Sequence, residues 1–214
     1  MALVAPRKVT HRSIHLRRRL VTGGLVAAVL ITGAIVLWPP GGTPVDLGPD
    51  PGSATWARKH YGNPDAPNFR AKKIVSFDLL GRTMFVHRSA LPHFLRLERL
   101  FEARAPEYAA SVAAGTLDDW SYHNRDVRAG NAKSNHAFGL AVDVNALSNV
   151  MGTTGDMPTE VTSQWEDEGG DWGGDWTRPD PMHFETQLTP RQIRKRYLPD
   201  GTPRDWFLEQ LVGG

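Results

Sequence analysis

The chain has 214 residues and no cysteine, which excludes a disulfide framework, a thiolate zinc site and a cysteine nucleophile. Its formal net charge of +2 hides an uneven distribution, because six of the 25 basic side chains lie in the first nineteen residues and the first acid is Asp46. The remainder carries 19 basic against 23 acidic side chains. This balance argues against a basic protein that binds nucleic acid, and no nucleic-acid partner is expected.

Residues 20–38 form an uncharged apolar run that follows the basic leader, residues 1–19. As a helix this run would be about 28 Å long, which matches the hydrocarbon core of a bilayer. It is longer than the apolar region of a signal peptide, and it ends at Trp38, a residue type favoured at membrane interfaces. We expect an uncleaved single-pass membrane anchor, with a cleaved signal peptide or a buried core helix as the alternatives. The positive-inside rule then places the leader in the cytoplasm and the remaining chain outside the cell membrane.

Residues 39–55 are rich in proline and glycine and are predicted to be a linker to a folded domain over residues 56–214. At the start of this domain, two apolar runs flank Gly81-Arg82 and predict a β-hairpin. Ser89 is a candidate N-cap for the helix that follows, whose apolar residues continue at helical spacing up to Pro106.

Two further helices are predicted near the C-terminus, one beginning at Thr189-Pro190 and a short one at Pro203. Four cations on the first of these, within residues 191–196, are interpreted as a solvated face, with contact to an anionic wall polymer or lipid as the alternative. Helices and short strands interleave along the domain without a βαβ rhythm. The fold class is therefore predicted as α+β, with a small antiparallel sheet and flanking helices.

The first segment that carries candidate catalytic or metal-binding residues is 134–145, S-N-H-A-F-G-L-A-V-D-V-N. Its alternation from Leu140 onward predicts a strand with Asp143 on the open face and the aliphatic residues toward the core. Gly139 lets the backbone bend, so the side chains of His136 and Asp143 are expected to converge. Pairing of Asp143 with an arginine or a helix end is the structural alternative.

The second segment runs from Trp172 to Glu185, W-G-G-D-W followed by D-P-M-H-F-E, and places His183 on a short extended stretch. Two histidines and an aspartate form a nitrogen and oxygen ligand set suited to zinc, and three protein ligands leave a fourth position for water. Asp180 is positioned to act on that water as a general base. An arginine within residues 121–128 is expected to stabilise the oxyanion.

The pattern S-x-H-x-x-G-x-A-x-D, met by residues 134–143, resembles the first zinc motif of the peptidoglycan-cleaving zinc peptidases. This family contains D-alanyl-D-alanine carboxypeptidases and dipeptidases and L-alanyl-D-glutamate endopeptidases. The segment 172–185 is similar to the second motif, and S-Y-x-x-R at residues 121–125 is similar to the segment that supplies the transition-state arginine. The related lysostaphin-type endopeptidases use H-x-x-x-D and H-x-H, which this chain lacks.

The resemblance implies a zinc-binding set formed by His136, Asp143 and His183. It further implies that Asp180 is the general base and Arg125 the oxyanion stabiliser, with Arg128 as the alternative. The implied fold is the small α+β domain shared with the hedgehog signalling domain, a scaffold that can keep zinc without evident peptidase activity.

From these observations we expect a membrane-anchored zinc metallopeptidase that hydrolyses peptidoglycan stem peptides as a D-alanyl-D-alanine carboxypeptidase does. One departure from the family pattern favours cleavage of a different peptide bond. Carboxypeptidases of the family often carry Glu at the base position, so Asp180 looks more like the L-alanyl-D-glutamate endopeptidase branch. Two non-enzymatic interpretations are a zinc-stabilised, non-catalytic module that binds cell wall or a partner, and a membrane-tethered scaffold without metal.

Overall fold

The computed structural model describes residues 49–115, 119–128 and 130–198. The predicted leader, the predicted anchor at residues 20–38, the linker up to residue 48 and the helix expected at Pro203 lie outside these residues. Among the helices that the structure describes, none is both long enough and apolar enough to cross a bilayer.

Helices and short strands alternate along the described part of the chain, as the α+β prediction required. In chain order they are α1 (Ala54–Tyr61), α2 (Phe69–Lys73), β1 (Ile74–Leu79), β2 (Arg82–His87), α3 (Leu91–Arg104), α4 (Pro106–Ala114), α5 (Asn135–Phe138), β3 (Ala141–Asp143), α6 (Thr159–Asp167), β4 (Gly170–Trp172), a 3₁₀ turn (Gly173–Asp175), β5 (His183–Thr186) and α7 (Pro190–Tyr197). The mixed architecture, with small antiparallel sheets and flanking helices, is confirmed.

The predicted hairpin is present, but its turn lies one residue earlier than expected. Strands β1 and β2 pair antiparallel with Leu79 opposite Arg82. Leu80 and Gly81 form the turn, and both have positive φ angles, 51° and 75°. This two-residue turn matches the right-handed twist of the strands. Arg82 therefore belongs to β2, where its buried guanidinium donates to the carbonyls of Val112 and Gly115 at the end of α4.

A second sheet has the strand order β3–β5–β4, and all its pairs are antiparallel. Asp143 on β3 lies opposite His183 on β5, and an isolated bridge places Trp120 opposite Asp143 on the other side. Directly opposed residues point to the same face of a sheet. The register alone therefore aligns Trp120, Asp143 and His183 in one row.

Helix α3 provides much of the core, but the predicted cap at Ser89 is wrong. The residue before the helix is Ala90, and no side chain caps the helix start, where Pro92 occupies the first turn. The helix ends at Arg104, because the next residue, Ala105, precedes Pro106, and a residue before a proline is disfavoured in helical geometry.

Large side chains from α3, α6 and β5 pack together in the core, among them Phe94, Phe101, Trp165 and Phe184.

The first and the last described helices both begin with a side-chain cap. The hydroxyl of Ser53 accepts a hydrogen bond from the backbone N–H of Trp56, so α1 begins at Ala54, within the segment predicted to be linker. The predicted helix at Thr189 is confirmed, and Thr189 and Gln192 form a reciprocal capping box. The Tyr61 hydroxyl donates to the carbonyl of Leu188 over 2.6 Å, which fixes the end of α1 against the start of α7.

Candidate metal centre and active site

Three side chains that are far apart in the sequence meet at one buried point of the second sheet. The Nε2 atom of His136 lies 3.2 Å from Oδ1 of Asp143, and Nδ1 of His183 lies 3.0 Å from the same oxygen. The two ring nitrogens are 3.2 Å apart. The convergence predicted from the two motifs is therefore present in the structure.

Local backbone geometry brings His136 to this point. Ser134 caps the short helix α5 through its hydroxyl, which accepts the N–H of His136. Gly139 ends the helix with φ 69°, and a Cβ at this position would lie 2.5 Å from the backbone nitrogen of His87. Only glycine fits both the left-handed conformation and the close approach, and the chain turns from α5 directly into β3. The bend predicted at Gly139 is confirmed.

A second glycine brings the segment that carries Asp180 close to the cluster. A Cβ on Gly173 would lie 2.5 Å from the carbonyl oxygen of Asp180 and 3.1 Å from Cβ of His183. The N–H of Asp180 donates to the carbonyl of Gly173, and the N–H of His183 donates to the carbonyl of Asp180. Sequence reasoning gave no role to Gly173, although its place in the W-G-G-D-W motif was a signal that the backbone passes close to another group.

Each imidazole of the cluster has an inner nitrogen, which faces the other two side chains, and an outer nitrogen, which faces away from them. Nδ1 of His136 lies 2.8 Å from the carbonyl oxygen of Ser121, and Nε2 of His183 lies 3.1 Å from Oε2 of Glu185. A carbonyl and a carboxylate accept hydrogen bonds and do not donate them, so these outer nitrogens carry the hydrogens. The inner nitrogens, which face each other and Asp143, are therefore the ones available to bind a metal.

Such a convergence of three acceptors fits a divalent cation. Tetrahedral zinc with bonds of about 2.0–2.1 Å to its ligands separates those ligands by about 3.3–3.4 Å, close to the triangle formed here.

The surroundings of the three side chains also favour positive charge. Burial opposes the charged form of His183, but hydrogen bonds to Asp143 and Glu185 raise its pKa to about 10. Burial would raise the pKa of Asp143, but its hydrogen bonds to the two histidines hold that pKa below its ordinary value.

Asp180 lies beside the cluster with one oxygen uncommitted. Its side chain is buried, and within the described part of the chain its Oδ1 atom has no hydrogen-bond partner. Burial raises the pKa of this carboxyl, and the charges of His183, Asp143 and His136 all act on it. A desolvated carboxylate next to a cation site is a suitable proton acceptor.

The two candidate arginines differ in their contacts. The guanidinium of Arg125 donates weakly to the carbonyl of Asp126 over 3.4 Å, and its backbone carbonyl accepts the N–H of Ser134. Arg128 is exposed, and its charge lowers the pKa of Asp180. The charge of Arg128 thus acts on Asp180, and the choice of Arg125 as oxyanion stabiliser stays a prediction.

Two partly exposed tryptophans border the cluster. The Trp176 ring centroid lies 5.0 Å from that of His183, and the side chain is 37% exposed. Trp120, which shares the face of Asp143, is 58% exposed. Sequence reasoning gave no role to Trp120, because only its pairing with β3 brings it to the site.

Residues 128–186 match the family model described as D-alanyl-D-alanine carboxypeptidase. The matched segment includes His136, Asp143, Asp180 and His183, whereas Arg125 precedes it. Searches of curated proteins and of solved structures each found no significant match. The family resemblance inferred from the motifs is confirmed over the matched residues.

Proposed function

Because residues 128–186 match the family model described as D-alanyl-D-alanine carboxypeptidase, we propose that the chain is a zinc peptidase that hydrolyses peptidoglycan stem peptides. The observation that carries the proposal is the triangle of His136, Asp143 and His183 with the uncommitted carboxylate of Asp180 beside it. A non-catalytic zinc site has no need of a buried proton acceptor at this place.

A zinc ion in this site would supply Lewis acidity, which polarises a carbonyl and lowers the pKa of water to about 7. Asp180 accepts a proton from the attacking water and returns it to the leaving amine. An arginine, Arg125 or Arg128, stabilises the negative charge that develops on the carbonyl oxygen. The outer hydrogen bonds of His136 and His183 keep a hydrogen on each outer nitrogen, so the inner nitrogens are the ones that would bind the metal.

Cleavage of an L-alanyl-D-glutamate bond is the second candidate, and one observation favours it. Asp180 is one methylene shorter than the glutamate found at this position in many carboxypeptidases of the family. The matched family description favours release of a terminal D-alanine instead. The two bonds give products of different mass, so one digest distinguishes them.

We further propose that residues 20–38 anchor the chain in the cell membrane and that the peptidase domain faces the wall. The uncharged run between the basic leader and the proline-rich segment supports this topology. Alkaline extraction of membranes should leave the full chain in the pellet, and external protease should cleave the domain in spheroplasts. Recovery of the full chain in the soluble fraction would contradict the anchor.

The activity is tested by incubating the purified full chain with stem peptides that end in D-alanyl-D-alanine and with peptides that contain the L-alanyl-D-glutamate bond. Mass spectrometry should show one product that forms with zinc and is lost after chelation. A folded, zinc-loaded protein that cleaves none of these peptides but binds them would establish the non-catalytic module and overturn the peptidase proposal.

A further inference from the structure

Glu185 is a buried carboxylate with no part in the proposed reaction. It lies on β5 two residues after His183, so both side chains point to the same face of the strand. Its Oε2 atom lies 3.1 Å from Nε2 of His183 and accepts a hydrogen bond of 2.7 Å from Nδ2 of Asn135. One oxygen thus joins a predicted metal ligand to a second side chain.

Asn135 holds this carboxylate from outside the strand. Its amide nitrogen also donates to the carbonyl of Gly52 over 2.7 Å, so both amide hydrogens are used. Gly52 has φ 80°, and a Cβ there would lie 2.7 Å from Oε1 of Glu185. The turn before α1 is therefore packed against the carboxylate. Asn135, directly before His136, connects this turn to the metal centre.

We propose that Glu185 is a positioning residue that fixes the ring of His183 so that Nδ1, and not Nε2, binds the metal. Asn135 and the turn at Gly52 hold Glu185 in place for this task. The inference rests on the proposed metal site and extends it beyond the three ligands.

The physical reason is the choice between two imidazole tautomers. A carboxylate can only accept, so Glu185 keeps a hydrogen on Nε2, and Nδ1, which faces Asp143 and His136, is the nitrogen that remains for a metal. The negative charge also makes the ring a stronger electron donor to a cation. His136 has the weaker arrangement, because its outer nitrogen meets the neutral carbonyl of Ser121. Loss of an outer-shell partner commonly weakens metal affinity by about 10–100-fold.

The test uses the full chain and zinc alone, without substrate. Zinc affinity is measured by competition with a chromophoric chelator, and long-range ¹H–¹⁵N NMR identifies the ring nitrogen of His183 that binds zinc. The wild type should bind through Nδ1. Glu185→Ala should bind zinc about 10–100-fold more weakly. Glu185→Gln, which keeps an acceptor oxygen, should retain Nδ1 ligation and lose less affinity than Glu185→Ala.

Glu168→Ala is the matched control, because Glu168 is a partly buried carboxylate that pairs with Arg96 over 2.8 Å. It should lower stability and leave zinc affinity and Nδ1 ligation unchanged. Zinc on Nε2 of His183 in the wild type would overturn the inference, whether or not any variant folds. Zinc affinity of Glu185→Ala within twofold of wild type would also overturn it. A wild type that binds no zinc would instead overturn the proposed function.

Discussion

Four histidines are buried among the residues that the structure describes, and we compare them as two pairs that differ in what their ring nitrogens contact. His136 and His183 belong to the candidate metal centre, whereas His87 and His93 lie in the core, and all four are at most 6% exposed. Nδ1 of His87 accepts the N–H of Ser89, and Nδ1 of His93 lies 2.8 Å from the hydroxyl of Thr186. Within the described residues, the Nε2 atoms of this core pair have no hydrogen-bond partner.

The comparison shows that burial by itself does not make a histidine functional. In the core pair desolvation dominates, so the pKa of His87 falls to about 4 and the pKa of His93 falls well below its ordinary value. In the metal centre equally strong burial is opposed by carboxylates, and the pKa of His183 rises to about 10. Desolvation therefore favours the neutral form of the core pair, whereas the carboxylates of the candidate centre favour positive charge there.

The sharpest test exchanges one member of each pair for alanine. His136→Ala removes a ligand and should weaken zinc binding by more than about 100-fold, beyond the usual effect of an outer-shell partner. His93→Ala removes a ring that stacks on Trp165 and should lower the free energy of unfolding by about 2–5 kcal/mol, with zinc affinity unchanged. Chelator competition and denaturant unfolding measure the two effects. Equal zinc affinities for the two variants would remove the distinction between the pairs.

The next prediction separates binding of the cation from catalysis of peptide cleavage. Asp180→Asn keeps the shape of the side chain but removes the proton acceptor, so the rate of peptide cleavage should fall by about 10²–10⁴. Zinc content should stay at the wild-type level, because Asp180 is not one of the three converging ligands. Elemental analysis and single-turnover assays on the same sample give both quantities. Wild-type cleavage by Asp180→Asn would exclude this residue as the base.

The elements that followed from the sequence are those determined by local pattern. Alternation fixed the face of Asp143, and the hairpin and the helix at Thr189 carried turn and capping signals in a few adjacent residues. Local pattern also misled, since Ser89 is a good capping residue but the helix begins after Ala90.

What the sequence did not reveal depends on distant contacts. The carboxylate of Glu185 meets Asn135, fifty residues earlier, and that amide meets Gly52 in a segment predicted to be linker. The outer nitrogen of His136 hydrogen-bonds to a backbone carbonyl. Every residue has such a carbonyl, so the sequence gives no signal of this partner. Such partners are set by the pairing of β3, β5 and the strand segment at Trp120, and spacing along the chain carries no signal of them.

The two arginines allow a narrower comparison within the site. Removal of the oxyanion stabiliser should lower the rate by about 10²–10³, and the family resemblance assigns this effect to Arg125→Ala. Arg128→Ala removes a charge that lowers the pKa of Asp180, so that pKa should rise. Because Asp180 acts in its ionised form, the acidic limb of the pH profile of kcat/KM should move to higher pH. A large rate loss in Arg128→Ala at all pH values, with Arg125→Ala near wild type, would exchange the two roles.

The last prediction concerns the core pair and depends on pH. Since the pKa of His87 is about 4 in the fold against about 6.5 in the unfolded chain, the fold disfavours its protonated form. The contribution of His87 is complete above pH 6.5 and is lost as the pH falls to 4, by about 3 kcal/mol in all. His87→Gln, which has no such titration, should lose correspondingly less stability over this range in urea unfolding. The histidines of the metal centre are present in both proteins, so their titration cancels in the difference. If the unfolding free energies of the two proteins change in parallel with pH, the fold does not lower the pKa of His87.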